Sequence, residues 1–430
     1  MSRSQSRPQG LLLPAVDDKE HPNQVNAHVL NAILDTVKDR AIVASRDIYD
    51  ERGTKLLAQH RPVTPLLHQR LLGLQLKLPL ETSLRFEAAP DKGQLRKAFA
   101  RLMDSGHPLA QPLRAWERQV DIQITSLPLD PVAHFLMSMV ELTSPKAFEH
   151  AIQAMALAGA MSVRAGANPG DVRQAMLAGL LHDIGEIYLD PALIGDGDAM
   201  DLRQFRRLAA HPRRGEQLLV SLGQYPLALT RAVGEHHERL DGSGYPAGLA
   251  GDKVSPLGRL LCVVEATLGM LALPGQGLAR ASFALRSIPG EFDGRWMGLV
   301  TDAAADQWSG GQPVGDASVG QASASLARAS RRMQAAAGVA ALLADSPSPR
   351  VRAVALAAVH LLGRLRTGWN GMGLWGEVPA DAQSQLELVM AEDELRYRLS
   401  RLERNCMWHV ASLDADDLDA LAPLWASLAD

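Results

Sequence analysis

The chain has 430 residues, with 44 basic and 48 acidic side chains and a net charge of −4, so it carries no global positive field that would gather a large nucleic acid. Two cysteines, Cys262 and Cys406, lack CxxC spacing, which excludes a disulfide framework and suits a reducing cytoplasm. Aromatic residues make up 4% of a chain that is 47% hydrophobic and rich in Ala and Leu, a balance that favours helix over sheet.

Residues 1–35 are polar, contain Pro8, Pro14 and Pro22, and read as a flexible tail. Its apolar stretch 11–13 is too short for a signal sequence, and no run approaches the ~18 apolar residues that would mark a membrane span. A cytoplasmic protein that does not enter a membrane is expected. A small α/β regulatory domain is expected over 36–120. Within it, short apolar stretches in 41–57 flank a turn at 50–53 and read as a β-hairpin, and 63–80 has Leu at helical spacing. A linker with Pro108, Pro112 and Pro128 follows.

From 125 to 302 the pattern is of successive helices broken by loops. Asp171 reads as the N-cap of a helix that runs into His182–Asp183, and Pro226 as the first residue of one that carries His236 and His237. Four glycines and two prolines make 241–256 a loop, and 257–271 returns to apolar helix. Residues 303–320, rich in Gly, Ala, Ser and Asp, read as a linker. Residues 321–430 read as amphipathic helices broken at 347–349 and 371–379. They are expected to pack as a bundle on the central domain; a dimerisation or partner surface, there or in the N-terminal domain, is the alternative. Trp369, Trp375, Trp408, Trp425 and residues 407–409 read as core, and His360 as a buried structural histidine.

The chemistry concentrates in the central segment. His182–Asp183 offers an imidazole beside a carboxylate, and a carboxylate can bridge two cations where an imidazole cannot. His150 lies one helix upstream, so two helices folded against each other would bring both imidazoles into one bundle interior. His211 precedes Pro212 at a helix start. His236 and His237, about 100° apart on a helix, can reach two neighbouring ions, or one ion and a substrate. The string HERLDGSGYPAG (237–248) then supplies glycines for close backbone approach, a ring and hydroxyl at Tyr245, and a stiffening Pro246.

The ordered set of His150, HDIG at 182–185, HP..G at 211–215 and HHE..DGSGYP.G at 236–248 resembles the HD-GYP family of HD-domain phosphohydrolases, over roughly 130–302. Residues 41–57 more weakly resemble a small domain that often precedes such modules. The resemblance implies an α-helical HD-domain bundle that hydrolyses cyclic di-GMP to pGpG or GMP, or acts on another small phosphate ester, using two divalent ions, Fe or Mn first. It implies His150, His182, Asp183, His211, His236 and His237 as metal ligands, with Asp183 as the bridge. His182 and Asp183 would be catalytic, and Gly242, Gly244, Tyr245 and Pro246 would bind substrate.

The chain departs from the family pattern in places. Glu186 replaces a lysine, so an anion stands where a cation would meet a phosphate; it could instead ligate a metal or face solvent. Glu265 replaces an aspartate and, one methylene longer, is carried over as a ligand with shifted geometry. Lys146 stands where some relatives have an acidic ligand. The Arg and Tyr that usually follow the aspartate are missing from 266–277, and the role is not transferred to Arg280. These departures imply an alternative, a catalytically degenerate member that binds cyclic di-GMP or metal, or acts as a protein-interaction scaffold.

Overall fold

A computed structural model of the chain describes residues 23–88, 93–194, 200–273, 277–308, 316–373, 381–408, 410 and 412–429. The fold is mainly α: a helical bundle of HD-domain type, a small N-terminal unit with short strands, and a helical C-terminal region.

The N-terminal unit begins earlier than its composition suggests. Residues 1–22 lie outside the described residues, but Ala27–Val37 is a helix, which corrects the tail expected to reach 35. Asn26 caps it by accepting from the His28 and Val29 amides, and Val29, Leu30 and Ile33 are buried. The strands are β1 (Ile42–Ala44), β2 (Ile48–Tyr49), β3 (Lys55–Leu57) and β4 (Leu84–Phe86). The expected hairpin is only β2–β3, with Ile48 opposite Leu57. Strand β1 instead pairs antiparallel with β4, Ile42 opposite Phe86, a strand too short to show periodicity. The helix expected over 63–80 is confined to Pro65–Leu71, and Gly73 takes a positive φ of 76° soon after it.

This unit is docked on the central bundle. Phe86 packs against Phe135 at 5.1 Å. Tyr188 donates to the buried Glu81 carboxyl, and Asn26 Nδ2 donates to the Tyr188 carbonyl at 3.2 Å. Tyr188 ends the 3-10 turn Ile184–Tyr188, which directly follows His182–Asp183, so the N-terminal unit braces the segment that carries the candidate metal ligands.

In the central bundle, helix Pro145–Arg164 folds back through Gly166 onto Pro169–Leu181. The N-cap of the second helix is Asn168, not Asp171: its Oδ1 accepts from the Asp171 amide at 3.0 Å, and Pro169 takes the first helical position. The two helices touch backbone to backbone, since a Cβ on Gly179 would stand 2.6 Å from the Ala154 carbonyl oxygen. Pro226 is the cap residue rather than the first residue of helix Leu227–Glu235, which ends at His236. Gly185 sits against the start of helix His211–Leu222: a Cβ there would lie 2.1 Å from the His211 carbonyl oxygen and 2.7 Å from the Gly215 amide nitrogen. Both are backbone atoms and cannot rotate away. Gly185→Ala is therefore expected to destabilise the fold by about 3 kcal/mol, the upper end for overpacking, read as a lower midpoint in thermal unfolding. An unchanged midpoint would show that the two segments separate freely.

The residues expected to link the central and C-terminal regions are largely helical. Helix Gly294–Trp308 covers 303–308, helix Asp316–Leu343 begins at 316, and only 309–315 lie outside the described residues. The C-terminal helices Asp316–Leu343, Pro349–Gly371, Ala382–Ser400, Leu402–Met407 and Ala415–Ala426 bury Leu326, Met333, Val354, Leu362, Trp369, Leu395 and Leu421 in a core that also takes Phe283 and Ile288 of the central bundle. The break expected at 371–379 falls mostly, and Trp375 wholly, outside the described residues. Buried ion pairs fasten the interface: Arg280 to Glu394 at 3.1 Å and Arg398 to Glu291 at 2.9 Å. Gly368 permits the closest approach, where a Cβ would stand 2.2 Å from the Ser287 carbonyl oxygen. No helix among the described residues is long and apolar enough to cross a membrane.

Candidate metal centre

Each candidate ligand stands at the end of a helix or on the inner face of one. His182 follows helix Pro169–Leu181, His211 opens its helix, His236 closes another, and His150 and Glu265 project from helices Pro145–Arg164 and Pro256–Leu271. The imidazoles of His182, His211 and His236 are only 2%, 2% and 0% exposed. In all three, Nδ1 meets the carbonyl oxygen three residues back: Gly179 at 2.8 Å, Leu208 at 2.7 Å and Val233 at 2.6 Å. A carbonyl only accepts, so each Nδ1 carries the proton. The neutral ring then presents an Nε2 lone pair, the form that binds a metal.

Those lone pairs converge. His211 Nε2 lies 3.0 Å from His236 Nε2, and His150 Nε2 lies 3.2 Å from His182 Nε2. Two lone pairs at such distances repel unless a cation lies between them. Ligands about 2.1 Å from one ion, at angles between octahedral and tetrahedral, stand about 3.0–3.4 Å apart, so the spacing is that of adjacent corners of a coordination shell. Asp183 divides its oxygens between the two pairs. Its Oδ2 is 3.0 Å from His182 and 3.4 Å from His150, and its Oδ1 is 3.2 Å from His211 and 3.3 Å from His236. Glu265 Oε2 completes the first half, 3.2 Å from His150 and 3.3 Å from His182. His237 joins the second. Two four-residue groups result, His150–His182–Asp183–Glu265 and Asp183–His211–His236–His237, each with its ligand atoms within 4.8 Å of one another and Asp183 in both.

The electrostatics agree with the geometry. Burial alone would raise the Asp183 and Glu265 carboxyls, but the surrounding imidazoles hold both well below the usual carboxylate range. Burial would lower the imidazoles of His150, His182 and His211, yet the same carboxylates raise all three above the usual histidine value. Burial takes His236 down to about 4 and His237 well below its ordinary value, so these two stay neutral. Mixed imidazole and carboxylate ligation suits Fe, Mn or Zn better than Ca.

The glycine-rich loop is tied back over this floor. Glu238 accepts from the Ala247 and Leu249 amides at 2.6 and 2.8 Å. Gly244 passes so close to Arg239 that a Cβ would stand 2.4 Å from its amide nitrogen. Tyr245 stacks on His237 with ring centroids 4.5 Å apart and a tilt of 22°. Gly244 and Tyr245 line a cavity of about 670 Å³ together with Asp183, His211, His237 and Glu265. Gly242 and Pro246, expected to bind substrate, are not among its lining residues. Gly242 is instead a buried turn residue with φ 79°, and Pro246 follows Tyr245 through a cis peptide bond.

Glu186 lines the cavity but belongs to neither ligand group, and burial together with the Asp183 carboxylate raises it to about 7. Lys146 is exposed, and Arg280 is buried against Glu394 and the Met390 carbonyl, where it anchors the C-terminal bundle. His360 is partly buried and bonds the Asp241 carbonyl of the loop at 3.1 Å. Trp408, read as core, is buried, and its ring edge meets Tyr245 at 6.1 Å.

The sequence reading missed the cavity's far wall. Tyr397, Arg398, Arg401, Arg404 and Asn405 line it from the C-terminal helices, with Arg364 beside them. The recurrence of Arg398, Arg401 and Arg404 at three-residue intervals is a helical-face signal, but nothing in the sequence says which surface that face meets.

Residues 134–275 match the HD domain family, and with the buried His/Asp constellation just described the chain carries an HD domain. Its loop and ligand order give that domain the signature of the HD-GYP branch. Among curated relatives, a cyclic di-GMP phosphodiesterase of Pseudomonas aeruginosa is 35% identical over 133 residues, 30% of this chain and 32% of the relative. A 3'3'-cGAMP-specific phosphodiesterase of Vibrio cholerae is 38% identical over 88 residues, 20% of this chain and 19% of the relative. The cyclic di-GMP phosphodiesterase response regulator RpfG of Xanthomonas campestris is 29% identical over 25% of this chain and 29% of its own length. The chain thus spans about a third or less of each of these relatives. A solved HDG"Y"P protein from Bdellovibrio bacteriovorus aligns with 61% of this chain and 94% of its own at 16% identity and a TM-score of 0.36.

Proposed function

We propose that the chain is a metal-dependent phosphodiesterase that hydrolyses cyclic di-GMP to pGpG or GMP, with two divalent ions, Fe or Mn, held by the two groups that share Asp183. The observation that carries this reading is the convergence of those groups on the floor of one cavity beside the Tyr245 loop. The cavity of about 670 Å³ is in the usual range for small-molecule sites. The relatives named above act on cyclic dinucleotides, which favours that substrate class.

Bound there, two divalent ions would acidify a water and offset the charge that develops on phosphorus during attack. The chain's own residues do the positioning. The backbone carbonyls of Gly179, Leu208 and Val233 fix three imidazoles, Asp183 holds the two halves in register, and Tyr245 stands over His237 where a substrate would enter. Conversion of cyclic di-GMP by the Mn- or Fe-loaded full chain tests the proposal, with 3',3'-cGAMP run in parallel. No turnover of either by metal-loaded protein would overturn it. Glu186 favours a second reading, since a carboxyl lining the cavity gives a phosphodiester no cation and opposes it whenever ionised. Tight binding of cyclic di-GMP without conversion would establish that degenerate, binding-only form.

A further inference from the structure

We propose that the C-terminal bundle positions the signature loop over the metal centre: His360 and Arg364 of helix Pro349–Gly371 hold the base of the loop at Asp241, and this keeps Tyr245 on His237. This rests on the phosphodiesterase reading above and assigns to the same site two positioning residues from outside the HD domain.

Asp241 is the residue on which the turn is built. Its Oδ1 accepts from the Ser243 amide at 3.0 Å and from the Ser243 hydroxyl at 2.6 Å, the side-chain version of a backbone turn. Gly244 and Tyr245 follow directly, and the Tyr245 amide donates to the His237 carbonyl at 3.1 Å. A shift of Asp241 is therefore passed within four residues to the ring that stacks on His237.

The other polar atoms of Asp241 reach across to the C-terminal bundle. Its carbonyl oxygen meets His360 Nε2 at 3.1 Å, and its Oδ2 accepts from Arg364 Nε at 3.3 Å. A carbonyl only accepts, so His360 Nε2 carries a proton. The Asp241 side chain is 5% exposed, so its carboxylate meets Arg364 largely away from water. Arg364 also donates through Nη2 to the Pro289 carbonyl. A guanidinium bonded on two sides is a brace between the loop and the turn at 288–291.

His360 and Arg364 are four residues apart and Gly368 is four further on, so the three share one stripe of the helix. Gly368 presses its backbone against the Ser287 carbonyl oxygen, where a Cβ would stand at 2.2 Å. That contact sets the height of the helix over the central bundle, and with it the two bonds to Asp241. The C-terminal helices also meet the tip of the loop, where the Trp408 ring stands edge-on to Tyr245 at 6.1 Å. Asp241 and Tyr245 belong to neither ligand group. A displaced loop therefore leaves the metals in place and weakens the capture of substrate.

The test uses the full chain loaded with Mn and the separate variants Arg364→Met and His360→Leu. With cyclic di-GMP as substrate, Arg364→Met is expected to raise KM about tenfold, the size of one charged hydrogen bond, and His360→Leu about threefold. In both, kcat stays within about twofold of wild type, the split that marks lost binding rather than lost chemistry, and Mn content is unchanged. Arg364→Lys recovers part of the loss. Hydrogen exchange is expected to quicken over 238–251 in both variants and to stay at the wild-type rate in helix Pro169–Leu181. His360→Leu, which removes no charge, carries the test if Arg364→Met loses protection throughout. KM and loop exchange within about twofold of wild type in the folded variants would overturn this inference and leave the phosphodiesterase reading standing. Metal-loaded wild type without turnover would overturn the phosphodiesterase reading, and exchange over 238–251 would then decide the positioning role by itself.

Discussion

Asp183→Ala is expected to empty both halves of the metal centre at once, where any single histidine variant empties one. Asp183 is the sole residue common to the two ligand groups, with Oδ2 facing His150 and His182 and Oδ1 facing His211 and His236. Removing it leaves the His211–His236–His237 group with no carboxylate and takes one of two from the His150–His182 group, where Glu265 remains. Outer residues that merely orient ligands typically cost 10–100-fold in metal affinity or activity when changed. The loss of a bridging ligand exceeds that, so phosphodiester turnover should fall by more than about a hundredfold. Asp183→Asn should do nearly the same with the side-chain shape retained, because an amide offers one weak oxygen in place of two charged ones. His150→Ala and His236→Ala are expected to retain one bound ion each. Elemental analysis of the purified full-length variants reads all four outcomes. Full metal content in Asp183→Ala would show that the carboxylate does not bridge.

The candidate metal centre was partly legible because each half of it contains a pair of adjacent residues. His182–Asp183 and His236–His237 put two ligands side by side, and the helix breaks around them fix which end of a helix they occupy. What the strings do not contain is the distance between helices. Gly179 and Gly185 set that distance by letting backbone meet backbone, and a glycine inside an apolar helix gives no sign of which carbonyl it will face. The N-terminal helix Ala27–Val37 was lost because it directly follows a polar, proline-containing stretch; its buried residues are Val29, Leu30, Ile33 and Thr36. Strand β4 was lost to length, three residues paired with a strand forty positions away. The cationic wall was lost for a different reason: Arg401 and Arg404 sit far outside the segment that resembles HD-GYP, so motif matching stopped short of them. The central helices supply the candidate ligands, and the C-terminal bundle supplies the opposite wall of the cavity that some of them line.

Stripping divalent ions from the protein is expected to lower its unfolding midpoint, and the gain on restoring them should shrink as pH falls. Without an ion, the carboxylates of Asp183 and Glu265 are neutralised by protons on the neighbouring imidazoles. That is why His150, His182 and His211 are raised above the ordinary value near 6.5 although burial opposes it. A metal must displace those protons, because only a neutral imidazole donates its Nε2 lone pair. Groups with raised values hold their protons to higher pH, so competition begins above pH 6.5 and strengthens at every step below it. His236 and His237, held low by burial, do not compete in that range. With free Mn(II) about a thousandfold above its Kd, binding to the folded state alone is worth about 4 kcal/mol, a rise of several degrees in Tm. Thermal unfolding with and without Mn(II), repeated between pH 8 and pH 6, measures both effects. The metal-induced rise should be largest at pH 8 and decline steadily towards pH 6. A rise independent of pH would mean that these histidines are not the ligands.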